Sequence, residues 1–109
     1  MQTTALSQQR CLPMEGQPAM TAEAIEQHLA QVPGWVLAAG SIEKRYGFPD
    51  FHRTLAFVNA LAWIANTEDH HPDLLLSYGQ CTVRFNTHAV GGISLNDFIC
   101  AAKVDALLA

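Results

Sequence analysis

The spacing of apolar positions predicts three helices in the chain. Apolar residues recur at intervals of three and four after Thr21 and again after Asp50, and both of these side chains can cap a helix. We therefore expect a first helix of about ten residues that ends before Pro33, and a long helix over roughly residues 51–68. A third helix is predicted from Ser94 to the C-terminus, with Asp97 at the position of a capping box.

Between the helices, alternating apolar residues predict two β-hairpins. The first pairs residues 35–38 with 42–48 around the turn residues 39–41. The second pairs residues 74–78 with 81–86 around Gly79-Gln80, a two-residue connection that suits a type II′ turn. Folding the chain at that turn pairs Tyr78 with Cys81 and places Leu76 opposite Val83, on the face predicted to be core.

The order helix, hairpin, helix, hairpin, helix indicates an α+β fold. We expect a four-stranded antiparallel sheet with three helices on one face, in the order α-ββ-α-ββ-α. Residues 21–109 are long enough for a single domain, whereas residues 1–20 have no periodicity and are predicted to be a loosely ordered N-terminal arm. The pattern leaves open whether the second face of the sheet is solvated or covered by another subunit.

Composition and charge narrow the class of protein. The chain has 6 Lys+Arg against 10 Asp+Glu and no basic stripe, which argues against direct nucleic-acid binding. No apolar run is long enough for a signal peptide or a membrane span, and the three cysteines form no C-x-x-C pair, so we expect a soluble, reduced, cytoplasmic protein. Because only 15% of the residues are charged, we also expect surfaces that bury in a homo-oligomer.

Three of the five histidines are predicted to converge. His70 and His71 lead into the third strand and His88 follows the fourth, so an antiparallel hairpin brings them to the same end. Imidazoles exchange protons near neutral pH, which suits acid–base catalysis. A metal site is the alternative, since Asp69 and Asp73 are nearby. Adjacent histidines, however, rarely direct both rings at one ion, and acid–base chemistry is favoured.

Other polar residues have structural explanations. His28 and His52 lie on predicted helices and are expected at the surface. A carboxylate at Asp97 suits the positive end of the last helix. Cys81 and Cys100 occupy apolar positions and are expected in the core.

The segment Asp69-His70-His71-Pro72, followed by Tyr78, Thr87-His88 and Asp97, resembles the signature of the pterin-4a-carbinolamine dehydratases. In animals, members of this family also act as dimerisation cofactors of a homeodomain transcription factor. The resemblance covers about residues 33–108. It implies a four-stranded antiparallel sheet with helices on one face, assembled as a homodimer or homotetramer. The implied activity is that of a hydro-lyase in tetrahydrobiopterin recycling: 4a-hydroxytetrahydrobiopterin loses water to give the quinonoid dihydropterin.

The resemblance also implies roles for individual residues. His70 and His88 would be the proton-transfer pair, and His71 would orient the pterin and contribute to acid–base catalysis. The implied substrate-binding residues are Asp69, His70, His71, Asn86, Thr87, His88 and Ala89, and the implied supporting residues are Pro72, Tyr78 and Asp97. No metal or organic cofactor is implied. The expected partners are the pterin and, through the reaction, an aromatic amino-acid hydroxylase.

Two positions depart from the family pattern. Asn66 stands where an acidic residue is common, and Ala89 replaces an acidic or polar residue. They motivate the alternative that the chain acts on another pterin, for instance in molybdopterin metabolism. A further alternative is a non-catalytic, coactivator-like protein-binding module, because the helix over 51–68 is apolar on more than half of its surface.

Overall fold

Three helices and a four-stranded antiparallel sheet make up the fold, and the computed structural model describes residues 5–109. The elements in chain order are α1 (Ala22–Leu29), β1 (Val36–Ala38), β2 (Ser41–Gly47), α2 (Phe51–Glu68), β3 (Asp73–Leu76), β4 (Gln80–Phe85) and α3 (Leu95–Ala106). The strands lie in the order β1-β2-β4-β3, and each neighbouring pair is antiparallel. The predicted α+β class and order of elements are confirmed.

The helices begin where side chains can satisfy free backbone amides. Thr21 accepts a hydrogen bond from the Ala24 amide at 3.2 Å, and Asp50 accepts one from the Arg53 amide at 2.8 Å. Each side chain replaces the carbonyl that the first helical turn lacks. The predicted bounds of α2 agree with the structure because its cap and its apolar spacing are both local features.

One face of the sheet forms the core with the helices. Ile42, Val83 and Phe85 alternate with polar neighbours, and each is at most 1% exposed. On the other face Arg84 forms an ion pair with Glu43 at 2.8 Å. Because successive strand residues point to opposite faces, this alternation buries one side of the sheet under the helices and leaves the other side accessible to solvent.

The register of the second hairpin differs from the prediction by two residues. Leu76 pairs with Cys81 and Leu74 with Val83, and the Ser77 amide donates to the Gln80 carbonyl at 2.9 Å. The loop is therefore Tyr78-Gly79 rather than Gly79-Gln80. A shift of two residues preserves the faces, so Val83 is still in the core.

Tertiary contacts explain this register. The Phe48 amide donates to the Gly79 carbonyl at 2.8 Å, and the Thr54 hydroxyl donates to the Tyr78 carbonyl at 2.9 Å. A Cβ at Gly79 would lie 2.9 Å from the Phe48 carbonyl oxygen. The glycine is thus needed for a close backbone approach, which sequence spacing within the hairpin does not reveal.

Residues 5–20, the part of the N-terminal arm that the structure describes, contact the domain at several points. Leu6 is 8% exposed and belongs to the core cluster. Lys103 donates to the Ser7 carbonyl at 2.9 Å, and the Met20 amide donates to the Ile93 carbonyl at 2.8 Å. The arm therefore runs along α3 and reaches the loop before it. Within residues 5–109, no helix combines the length and apolarity that crossing a membrane requires.

Candidate active site

A cavity of about 470 Å³ lies where the end of α2, the end of β4 and the arm meet. It is lined by every residue to which the resemblance assigned substrate binding: Asp69, His70, His71, Asn86, Thr87, His88 and Ala89. The three histidines predicted to converge are thus brought to one cavity. Their convergence follows from the antiparallel pairing of β3 and β4, which returns the chain to the end of α2.

His70 is fixed on two sides. Its Nε2 lies 2.6 Å from Asp97 Oδ1, and its ring stacks on Phe85 with centroids 5.8 Å apart and planes 10° apart. The His70 side chain is 11% exposed, and that of Asp97 is fully buried. A carboxylate facing Nε2 favours the proton on that nitrogen, which holds the ring in one tautomer and orientation.

Asp97 connects this histidine to the start of α3. Its Oδ2 accepts hydrogen bonds from the Ser94 amide at 2.9 Å and the Thr87 hydroxyl at 2.8 Å. The Ser94 and Thr87 hydroxyl oxygens are themselves 2.6 Å apart. Asp97 therefore completes the predicted capping box and also contacts His70. The buried carboxylate has a partner on each oxygen, so its burial is compensated.

The end of α2 turns the chain toward the cavity at Asp69. Asp69 has φ 51° and ψ 44°, a left-handed conformation that aspartate tolerates better than most non-glycine residues. The amides of Asp69 and His70 both donate to the Ala65 carbonyl, the latter at 3.1 Å. This turn ends the helix and places His70 and His71 one after the other at the cavity.

The other two histidines are more exposed than His70. His71 Nε2 lies 3.1 Å from Asn66 Oδ1, so the residue that departs from the family pattern contacts a candidate catalytic ring. His88 begins a short 3₁₀ turn after β4, and Thr87 is held beside it by a 2.7 Å hydrogen bond from its amide to the Gly92 carbonyl. Within residues 5–109, no three His, Cys, Asp or Glu side chains are grouped closely enough to hold a metal ion.

All three residues with an implied supporting role, Pro72, Tyr78 and Asp97, lie outside the cavity lining, although Asp97 contacts His70. Pro72 separates the histidine pair from β3, and Tyr78 lies in the hairpin loop with 68% of its surface exposed. His52 is exposed on α2, as expected. His28 is half-buried instead, with Nδ1 2.8 Å from the Ala24 carbonyl and its ring against Phe98. Cys81 and Cys100 are buried in the core, as expected.

The sequence did not indicate that the arm would line the cavity. Cys11, Leu12, Pro13, Met14 and Glu15 do so, together with Glu68 and Asn96. These contacts join residues far apart in the chain and follow no periodic pattern. The one sequence feature that could have indicated docking of the arm is the cysteine at position 11. It lies half-buried with its Sγ 3.5 Å from Cys100 Sγ.

Glu68 attaches the arm to the end of α2. It accepts the Cys11 amide at 2.8 Å and forms ion pairs with Arg10 at 2.9 Å and Lys103 at 3.9 Å. Burial acts to raise the pKa of Glu68, but the Cys11 amide and the charges of Lys103 and Arg10 outweigh it, so the pKa lies below its ordinary value of 4.5. Glu68 is thus ionised at neutral pH and anchors the arm in that form.

The fold and the site together define a class: an open-sheet α+β protein with a histidine-lined pocket suited to proton transfer. The model of the family described as pterin 4 alpha carbinolamine dehydratase matches residues 18–107. The chain therefore belongs to the pterin 4a-carbinolamine dehydratase family, which confirms the resemblance seen in the sequence.

Relatives and solved structures agree with this assignment. A protein of Xanthomonas campestris pv. campestris (strain 8004), provisionally named pterin-4-alpha-carbinolamine dehydratase, is 57% identical over 105 residues, 94% of this chain and 89% of its own. One from Nitrosospira multiformis with the same provisional name is 48% identical over 103 residues, 94% and 91% of the two chains.

Two solved structures share the fold. The crystal structure of a transcriptional coactivator/pterin dehydratase from Brucella melitensis has a TM-score of 0.80 at 26% identity, covering 84% of this chain and 99% of its own. A pterin dehydratase-like protein, identified as a RuBisCO assembly factor in the alpha-carboxysome, has a TM-score of 0.56 at 23% identity, covering 67% and 84%. The second likeness concerns the fold alone.

Proposed function

We propose that the chain is a hydro-lyase that removes water from a 4a-hydroxytetrahydropterin and gives the quinonoid dihydropterin. One observation carries the proposal: His70, His71 and His88 line a single cavity, and a buried carboxylate fixes His70. The family membership of the chain supports the choice of reaction. The role we assign to the product is return to the tetrahydropterin pool that an aromatic amino-acid hydroxylase uses.

The reaction needs one proton removed and one delivered. A base takes the proton from N5, the N5–C4a double bond forms, and the C4a–O bond breaks as an acid protonates the departing hydroxyl group. One proton is removed for each proton delivered, so the reaction consumes no acid overall. We assign this exchange to His70 and His88, because imidazoles can both give and accept a proton near neutral pH.

The surroundings of His70 suit proton transfer. Since Nε2 faces the Asp97 carboxylate, Nδ1 is the nitrogen left for exchange with the substrate. Asp97 stabilises the imidazolium form without itself contacting the pterin, so it is a positioning residue.

The remaining cavity residues would hold the ring. His71, oriented by Asn66, would position the pterin and contribute to proton exchange. Asp69 and the segment Asn86, Thr87 and Ala89 line the same cavity. A pterin has an edge of alternating donors and acceptors, which pairs with carboxylate and backbone groups.

The decay of the carbinolamine tests this proposal. A phenylalanine hydroxylase generates 4a-hydroxytetrahydrobiopterin, and the absorbance of the quinonoid product is followed with and without the protein. We expect acceleration in proportion to protein concentration. A folded protein that leaves the rate at the uncatalysed value would contradict the proposal and favour the alternative of a protein-binding module.

Self-association belongs to the same proposal. Leu75 is 71% exposed on the edge strand β3, and Trp63 is 70% exposed on α2. An exposed apolar side chain at an open sheet edge, as at Leu75, and one on a helix surface, as at Trp63, are each typical of an interface. We infer a homodimer or homotetramer in the cytoplasm, which light scattering of the purified protein would test. A monomer that retains a stoichiometric partner from lysate would instead support the coactivator-like alternative.

A further inference from the structure

The N-terminal arm supplies part of the wall of the candidate active site. Residues 11–15 line the cavity that His70, His71 and His88 also line. The family model matches residues 18–107, so this wall lies outside the matched segment. The cavity thus combines histidines from the matched segment with a wall that precedes it.

Asn96 holds the wall by binding both the amide and the carbonyl group of Leu12. Its Oδ1 accepts the Leu12 amide at 3.1 Å, and its Nδ2 donates to the Leu12 carbonyl at 2.7 Å. Asn96 is only 5% exposed. Two hydrogen bonds to one residue fix its position much as a strand partner would, and burial of the Asn96 side of each bond strengthens them.

The anchors of the arm are also the elements that position the histidines. Glu68 binds the Cys11 amide one residue before Asp69, and Asn96 lies next to Asp97, the partner of His70. The wall and the candidate catalytic ring are therefore attached to the same two helix ends. Residues 11–15 thus keep a defined position relative to His70.

The charged groups that line the cavity are mostly acidic. Within the described part of the chain, its lining contains Glu15, Glu68 and Asp69 and no lysine or arginine. Arg10 and Lys103 face Glu68 and compensate its charge. Glu15 and Asp69 are both exposed on the cavity lining. Their negative charges therefore disfavour binding of an anion near them.

We propose that residues 11–15 select the side chain of the pterin, and that Glu15 disfavours side chains that carry phosphate or carboxylate. The inference rests on the proposed function. The side chain of a pterin is attached at C6, which is bonded to N5, so its first atom is two bonds from the atom that loses a proton. A wall that lines the same cavity as the histidines is therefore within reach of this side chain. Pterins with an uncharged side chain are the preferred ligands.

Binding of two stable pterins tests the charge selection without requiring turnover. Neopterin and neopterin 3′-monophosphate differ only in the terminal phosphate, and each is titrated by quenching of its fluorescence. We expect wild type to bind neopterin more tightly. Glu15→Lys is expected to shift the ratio of the two dissociation constants about three- to tenfold toward the phosphate. Glu23→Lys, the same charge change on α1 outside the cavity lining, controls for net charge and should leave the ratio at the wild-type value.

The outcomes separate this inference from the proposed function. Equal binding of both pterins by wild type, or the same ratio in both lysine variants, would overturn the selection by the arm while neopterin binding still supports the pterin site. Failure of wild type to bind either pterin would overturn the proposed function and the inference with it.

The position of the wall is tested through Asn96. Asn96→Ala removes both hydrogen bonds to Leu12, and we expect KM for the carbinolamine to rise at least about threefold with kcat within about twofold, because the wall binds but does not transfer protons. Leu12→Pro removes the amide donor of one of these bonds together with the leucine side chain and leaves α3 intact, so it serves if Asn96→Ala fails to fold. A folded variant with the wild-type KM would contradict the role of the wall.

Discussion

His70 and Asp97 are 27 residues apart in the chain, yet His70 Nε2 lies 2.6 Å from Asp97 Oδ1. The same carboxylate accepts the Ser94 amide at the start of α3. One buried side chain thus binds a free backbone amide at the start of a helix and also fixes the ring of a candidate catalytic histidine. Folding of α3 and assembly of the site are therefore coupled through Asp97.

Replacing Asp97 should separate its two roles. Asp97→Asn retains an oxygen for the helix cap but removes the charge that favours an imidazolium at His70. We expect kcat for carbinolamine dehydration to fall about 100-fold, with a loss of about 1 kcal/mol in the free energy of unfolding. Kinetics and urea unfolding measure the two effects.

A second capping aspartate provides the control for Asp97. Asp50→Ala removes the N-cap of α2, away from the cavity, and should cost a similar free energy of unfolding while leaving kcat near wild type. An Asp97→Asn variant with wild-type kcat would contradict a positioning role for Asp97.

Glu68 should make attachment of the arm depend on pH. Because its pKa in the folded protein is below the ordinary 4.5, its ionised form adds stability above that pH, and the contribution is lost as pH falls through the folded pKa. We expect Glu68→Gln to lose about 2 kcal/mol of unfolding free energy at pH 7.

The difference between wild type and Glu68→Gln should shrink as the pH falls below 4.5 and the wild-type carboxylate becomes protonated. Urea unfolding at pH 7, 5 and 3.5 measures it. A difference that is constant over this range would show that the charge of Glu68 does not hold the arm.

Tyr46 should make the core sensitive to alkaline pH. Burial raises its pKa above the ordinary 10.0, and the hydrogen bond to Asp105 and the charge of Asp105 raise it further. A raised pKa means that stability is fully present below pH 10 and is lost as the pH rises and the unfolded chain ionises. Wild type should therefore lose unfolding free energy between pH 9 and pH 11 more steeply than Tyr46→Phe.

Tyr78 is the matched control for Tyr46. It lies 68% exposed in the hairpin loop, so Tyr78→Phe should keep the steep alkaline decrease of wild type. Guanidinium unfolding across the same pH range gives both comparisons. Equal slopes for wild type and Tyr46→Phe would contradict the account of the Asp105 contacts.

Local signals in the sequence predicted most of the fold. The bounds of α2 follow from the Asp50 cap and the apolar spacing, and the first hairpin follows from its turn, where Ala39 and Gly40 both have positive φ. The register of β3 and β4 could not be predicted in the same way, because contacts from Phe48 and Thr54 fix the loop at Tyr78-Gly79. The sequence of a two-residue hairpin loop does not reveal such contacts, because they come from residues outside the hairpin.

The candidate site was also predictable only where local signals in the sequence define it. The antiparallel hairpin itself brings His70, His71 and His88 together. The arm was not predictable as a wall, because single residues such as Cys11 attach it and no period marks them. The direct contact between Asp97 and His70 was equally hidden, since the capping role alone accounts for an aspartate at that position.

The central claim is that histidines in this cavity dehydrate a pterin carbinolamine, and one measurement tests it most directly. The rate of decay of hydroxylase-generated 4a-hydroxytetrahydrobiopterin is compared for wild type, the His70→Ala, His88→Ala double variant and His52→Ala, whose histidine is exposed on α2 outside the cavity lining. We predict acceleration by wild type and His52→Ala, and decay at the uncatalysed rate with the folded double variant. A double variant as fast as wild type would contradict the assignment.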